Sequence, residues 1–110
     1  MIYVTHMKQT PNCERVCRPS ILGNPYSHKF QSSNKKIHKR DDAIAEYRQW
    51  LNDRIRNNDI IIIKELERLL EIAKQGDLYL GCWCSPKSCH GDVIKEVLEK
   101  ALITGIIMEV

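Results

Sequence analysis

Hydrophobic and polar positions change period several times along the chain. Ile2–Met7 is a short run rich in β-forming residues and predicts an opening strand. Pro11 and Asn12 follow as turn residues, and Glu14–Cys17 predicts a second short strand. The period then lengthens. Ala43, Ile44, Tyr47, Trp50, Leu51 and Ile55 recur at helical spacing, with Asp41 or Asp42 placed to cap the free N–H groups at the helix start. Asn57-Asn58-Asp59 breaks this helix and caps the next. The second helix carries an apolar stripe of Ile62, Ile63, Leu66, Leu69, Leu70 and Ala73, and Gly76 fits its stop. The two form an α-hairpin laid on a sheet, with Tyr47 and Trp50 as core residues. Asp77–Trp83 returns to strand. A third helix begins near His90–Asp92, with Val93, Ile94, Val97, Leu98, Ala101 and Leu102 on its apolar face and Gly105 as its end. Ile106–Val110 is short and apolar and predicts an edge or closing strand. The order β-β-α-α-β-α-β implies an α/β domain: one small Rossmann-like sheet of about four strands, flanked by helices.

Composition sharpens this picture modestly. A chain of 110 residues makes a single domain, spanning 1–110. At 43% hydrophobic and 28% charged residues it is globular rather than disordered. A net charge of +3 and a pI near 8.6 favour an anionic partner, but fall short of a nucleic-acid footprint. The longest aliphatic run, Ile60–Ile63, is far too short to span a bilayer. Five cysteines, an odd number, with no secretory leader in the sequence, point to reduced thiols and a cytoplasmic location.

Two segments interrupt the regular pattern. The first is Arg18-Pro19-Ser20-Ile21-Leu22-Gly23-Asn24-Pro25-Tyr26, where two prolines and a glycine exclude a regular helix or central strand. It leads into a polar, basic loop near residues 27–40 that contains Lys35, Lys36, His38, Lys39 and Arg40. The second is Cys82-Trp83-Cys84-Ser85-Pro86-Lys87-Ser88-Cys89-His90-Gly91-Asp92, at a predicted strand end entering a helix. In α/β sheets, ligands sit beyond the carboxyl ends of strands.

Several chemistries fit the second segment. Cys82, Cys84, Cys89 and His90 form a Cys3His set of the kind that binds zinc, although a Cys-x-Cys pair is a poor chelate. Cys89 at a helix start, beside His90, fits a thiolate nucleophile with Cys84 as the other candidate, in an enzyme acting on a nucleoside or nucleotide. The free N–H groups of the same helix start fit an anion cradle, framed by His90 and Gly91, with Asp92 as cap or as acceptor of a ribose hydroxyl. Arg18, Ser20, Gly23 and Asn24 would add contacts from the first loop. The plainest reading treats the cysteines as small buried hydrophobes, and it is the one that suits Cys13 and Cys17. The anion cradle is the reading the segment favours: a small nucleotide-like or phosphorylated ligand, held without any need for chemistry. Apolar helix faces also leave room for a homo-oligomer.

The two segments together, with Arg40, Ala43, Ile44, Tyr47, Trp50 and Leu51 between them, resemble the domain-of-unknown-function 4326 family (DUF4326), found in bacteria and often in bacteriophages. The resemblance spans roughly Glu14 to Leu98. It implies no catalytic assignment. It implies a shared site: Arg18, Ser20, Gly23, Asn24 and Pro25 on one loop, and Cys82, Trp83, Cys84, Pro86, Cys89, His90, Gly91 and Asp92 on the other. A phage setting implies a role in host takeover or in countering host defence.

Overall fold

The computed structural model describes residues 1–8, 12–16, 21–23, 40–82 and 90–110, with the side chains of residues 40–43 left aside. Its elements are β1 (Ile2–His6), β2 (Glu14–Arg15), α1 (Arg40–Arg56), α2 (Ile60–Gln75), β3 (Leu78–Cys82) and α3 (His90–Thr104). The strands form one sheet in the order β1-β3-β2, and both pairs are parallel. The register runs from Ile2 opposite Leu78 to His6 opposite Cys82, and Arg15 lies opposite Gly81.

Strand alternation divides the sheet into two faces. Ile2, Leu78 and Leu80 are buried among the apolar residues of the three helices. Tyr3 and Tyr79 point the other way and stack on each other, with ring centroids 5.1 Å apart and planes 16° apart. On that second face Gly81 leaves room for Cys13: a Cβ at Gly81 would collide with the Cys13 sulfur and come within 3.1 Å of Met7 Cγ. The helix side is the core proper. Tyr47 and Leu51 of α1, Leu66 and Leu69 of α2, and Ile94, Val97 and Leu98 of α3 are fully buried there. Trp50 is half-buried against them, with the Arg54 guanidinium 5.8 Å from its ring centroid. Leu102, at the far end of the predicted α3 stripe, is exposed.

The α1–α2 joint is built by two consecutive residues. Asn58 takes a left-handed conformation, φ 58°, and its N–H donates to the Ile55 carbonyl. Asp59 N–H donates to the Arg54 carbonyl, completing a Schellman end to α1. The Asp59 carboxylate then accepts the Ile62 N–H at 3.3 Å and caps α2. One residue thus closes one helix and opens the next. At the other end of the chain order, α1 starts at Arg40, so Asp41 and Asp42 fall in its first turn; their side chains lie outside the described residues. A further tie binds sheet to helix: Arg68 of α2 reaches Glu14 of β2 at 2.9 Å and grips Glu65 at 2.7 Å and 2.8 Å. Hydrogen bonding to Glu65, the leading cause, holds the Arg68 pKa above its ordinary value.

The C-terminal segment departs from the sequence expectation. Residues 106–110 are no strand, and among the described residues the sheet has three strands rather than about four. Gly105, with φ 87°, turns the chain out of α3. The Asn52 side chain of α1 then does what a neighbouring strand would have done: its Nδ2 donates to the Val110 carbonyl at 3.0 Å and its Oδ1 accepts the Val110 N–H at 2.9 Å. Lys100 donates to the Glu109 carbonyl at 2.9 Å, and Ile107 and Val110 pack on the core. The apolar pattern of this segment was legible, but its backbone partners are side chains, which periodicity does not reveal. Among the described residues, no helix is long and apolar enough to cross a membrane.

Candidate functional site at the carboxyl edge of the sheet

Three parallel strands bring their carboxyl ends to one edge. His6, Arg15 and Cys82 close β1, β2 and β3 there. Backbone bonds carry the pairing one residue further: Met7 N–H donates to the Cys82 carbonyl at 3.3 Å, and Val16 N–H to the Gly81 carbonyl at 3.1 Å. His6 is fixed locally, its Nδ1 accepting the Lys8 N–H at 3.1 Å. Helix α3 starts at this edge with His90. Its first N–H groups have no partner within the helix, as at any helix start.

His90 does not lie on the surface. Its ring is only 7% exposed, and Nε2 is 2.6 Å from the Val16 carbonyl oxygen. A carbonyl only accepts, so Nε2 carries the proton and donates. In the Nε2–H tautomer the lone pair is on Nδ1. Tyr47 of α1 packs edge-on against this ring, with centroids 5.0 Å apart and planes 65° apart. The Tyr47 hydroxyl donates to the Leu22 carbonyl at 2.7 Å. His90 and Tyr47 therefore form a latch. The imidazole holds the chain leaving β2, and the phenol holds the same loop six residues later, next to buried Gly23.

Of the first unusual segment, the Leu22 carbonyl accepts from the Tyr47 hydroxyl; of the second, His90 packs on the same Tyr47 ring and bonds to Val16, which precedes the first segment, and Gly91 is buried with His90. Asp92 lies exposed in the first turn of α3. Cys82 is 1% exposed at the end of β3. Arg18, Ser20, Asn24, Pro25, Trp83, Cys84, Pro86 and Cys89 lie outside the described residues, as do Cys17 and the polar loop up to residue 39. Among the described residues, no three His, Cys, Asp or Glu side chains cluster so as to hold a metal ion. Sequence reasoning missed His6 and the hydroxyl of Tyr47. The second had a signal: a tyrosine on a core-facing stripe needs a hydrogen-bond partner for its buried oxygen.

The family model described as "Domain of unknown function (DUF4326)" matches residues 3–100. The chain belongs to that family. The match runs from β1 to the last turns of α3, so the DUF4326 domain includes the sheet apart from Ile2, all the latch residues and both unusual segments. Searches of curated proteins and of solved structures gave no match to the chain.

Proposed function

We propose that this DUF4326 chain is a binding protein for a small phosphorylated, nucleotide-like ligand, seated at the amino end of α3 at the carboxyl edge of a Rossmann-like sheet. The observation that supports the reading is the latch. His90 holds Val16 and Tyr47 holds Leu22, two fixed points beside a helix start, and N–H groups at a helix start attract anions. Such a frame costs ordering energy when the protein folds rather than when ligand arrives, which is the condition for tight binding. Arg18, Ser20 and Asn24 belong to the same loop in sequence and would supply the polar contacts, with Arg18 paired to the anion. A cytoplasmic protein of this kind sequesters its ligand and needs no reaction. In a phage, that ligand would be a host signalling nucleotide.

The test is native mass spectrometry of the full chain purified from cells, followed by mass analysis of whatever is released on denaturation. A phosphorus-containing small molecule at about one per chain supports the reading. A ligand-free protein that also takes up no nucleoside monophosphate in calorimetry defeats it.

One observation favours a second reading, a zinc site. An imidazole whose Nε2–H is anchored on a backbone carbonyl is the arrangement that orients Nδ1 toward a metal. Cys82, Cys84 and Cys89 are the thiols of this segment. Metal analysis of the purified chain separates the readings: stoichiometric zinc, lost in the His90→Ala variant, selects the second. A cysteine enzyme is a third class. It requires a thiol among Cys84 and Cys89 that iodoacetamide labels faster than a free-thiol control.

A further inference from the structure

We infer that the site selects a phosphorylated ligand carrying a hydroxyl close to its phosphate, as in a sugar phosphate or nucleotide, and that His90 Nδ1 is the atom that recognises this hydroxyl. The inference rests on the anion-binding reading above and names the ligand class within it.

Nε2 is committed as donor to the Val16 carbonyl, and in the Nε2–H tautomer of imidazole the remaining nitrogen, Nδ1, is an acceptor. The ring is more than nine-tenths buried, and among the described residues Nδ1 meets no hydrogen-bonding group. Nδ1 is bonded to Cγ and therefore lies on the backbone side of the imidazole, at the first turn of α3. A buried acceptor beside a row of N–H donors is complementary to a ligand with the reverse pattern: an anion for the donors and an O–H for the acceptor. Inorganic anions supply only the first half. A site built to accept a hydrogen bond from a ligand hydroxyl discriminates strongly against analogues that lack it, because its own buried atom is then left unpaired. Tyr47 sharpens the selection. Packed edge-on against the imidazole, it resists rotation of the ring and so keeps Nδ1 from exchanging places with the Cδ2 carbon, which accepts nothing.

The test uses two isosteric variants of His90 and two probes, ribose 5-phosphate and methyl phosphate, in calorimetric or NMR titrations of the full chain. In His90→Gln the amide nitrogen stands where Nε2 was, so the Val16 bond survives and the Nδ1 acceptor is lost. In His90→Asn the amide stands where Nδ1 was, so an acceptor survives and the Val16 bond is lost. Wild-type protein is expected to prefer ribose 5-phosphate by about tenfold or more. The Gln variant is expected to lose most of that preference, read as the ratio of the two affinities, and the Asn variant to keep it. If Asn loses it and Gln keeps it, His90 acts only through the latch and the inference fails. A shift of both probes by the same factor also overturns it, yet leaves the anion-binding reading standing. Failure of both probes to bind wild-type protein overturns both. Stoichiometric zinc lost in the Asn or Gln variant would assign Nδ1 to a metal and overturn the inference. Thermal melting establishes that each variant is folded; should the Asn variant not fold, the ratio measured on the Gln variant decides alone.

Discussion

Replacing Tyr47 by phenylalanine removes one oxygen atom and leaves the ring in place against His90. The hydroxyl is fully buried and donates at 2.7 Å to the Leu22 carbonyl, 25 residues away in sequence. A buried neutral hydrogen bond contributes about 1 kcal/mol net. No cavity opens, because the ring carbon atoms stay, so the cost remains near that value. Unfolding entropy near the midpoint is about 2.1 cal/mol/K per residue, or roughly 0.23 kcal/mol/K for a chain of this length, so Tyr47→Phe should lower Tm by about 4 °C. The assay is thermal and urea unfolding, in which the midpoints should fall while the urea slope stays unchanged. Amide hydrogen exchange should localise the effect: faster exchange at Leu22 and Gly23, with α2 exchanging as in wild type. A Tm within about 1 °C of wild type, or faster exchange spread evenly over the chain, would refute the idea that Tyr47 ties this loop down.

Three further predictions probe the scaffold around the proposed site. Asp59→Ala removes the cap on α2 and should cost about 1 kcal/mol in urea unfolding, with early exchange confined to the first turn of α2. Gly81→Ala drives a Cβ into the Cys13 sulfur and should cost about 2 kcal/mol. Adding Cys13→Ala should return at least half of that, and a loss unchanged by the second substitution would point to backbone strain instead. Asn52→Ala removes both hydrogen bonds to Val110. It should cost about 1–2 kcal/mol and release residues 106–110 to carboxypeptidase, while the sheet stays intact.

The elements with strong periods were readable in the sequence. The stripe Ile62, Leu66, Leu69, Leu70 and Ala73 is the buried face of α2, and Asn57-Asn58-Asp59 is the joint it was read to be. Tyr47 was legible as core because of its place on the α1 stripe, but its hydroxyl contact with Leu22 joins residues far apart in sequence, and no local pattern encodes that. The same limit hid the contact between His90 and Val16. Residue types placed His90 at a helix start with a polar role; the fold turned the ring inward and gave its donor to the backbone. Ile106–Val110 was read as an edge or closing strand from its apolar run; Ile107 and Val110 pack half-buried on the core, but Asn52 takes the place of a strand. His6 carried no signal at all, since a histidine after β-formers acquires meaning only when the parallel register sets it opposite Cys82.

The central claim is that the amino end of α3 and the latched loop together form a binding site for a phosphorylated ligand. Titrating isotopically labelled protein with ribose 5-phosphate, and following backbone amide shifts, tests it most directly. The account predicts saturable shifts concentrated at His90, Gly91, Asp92, Val16, Leu22 and Gly23. Absence of saturable shifts there, or shifts centred instead on Tyr3 and Tyr79 on the opposite face of the sheet, would contradict it.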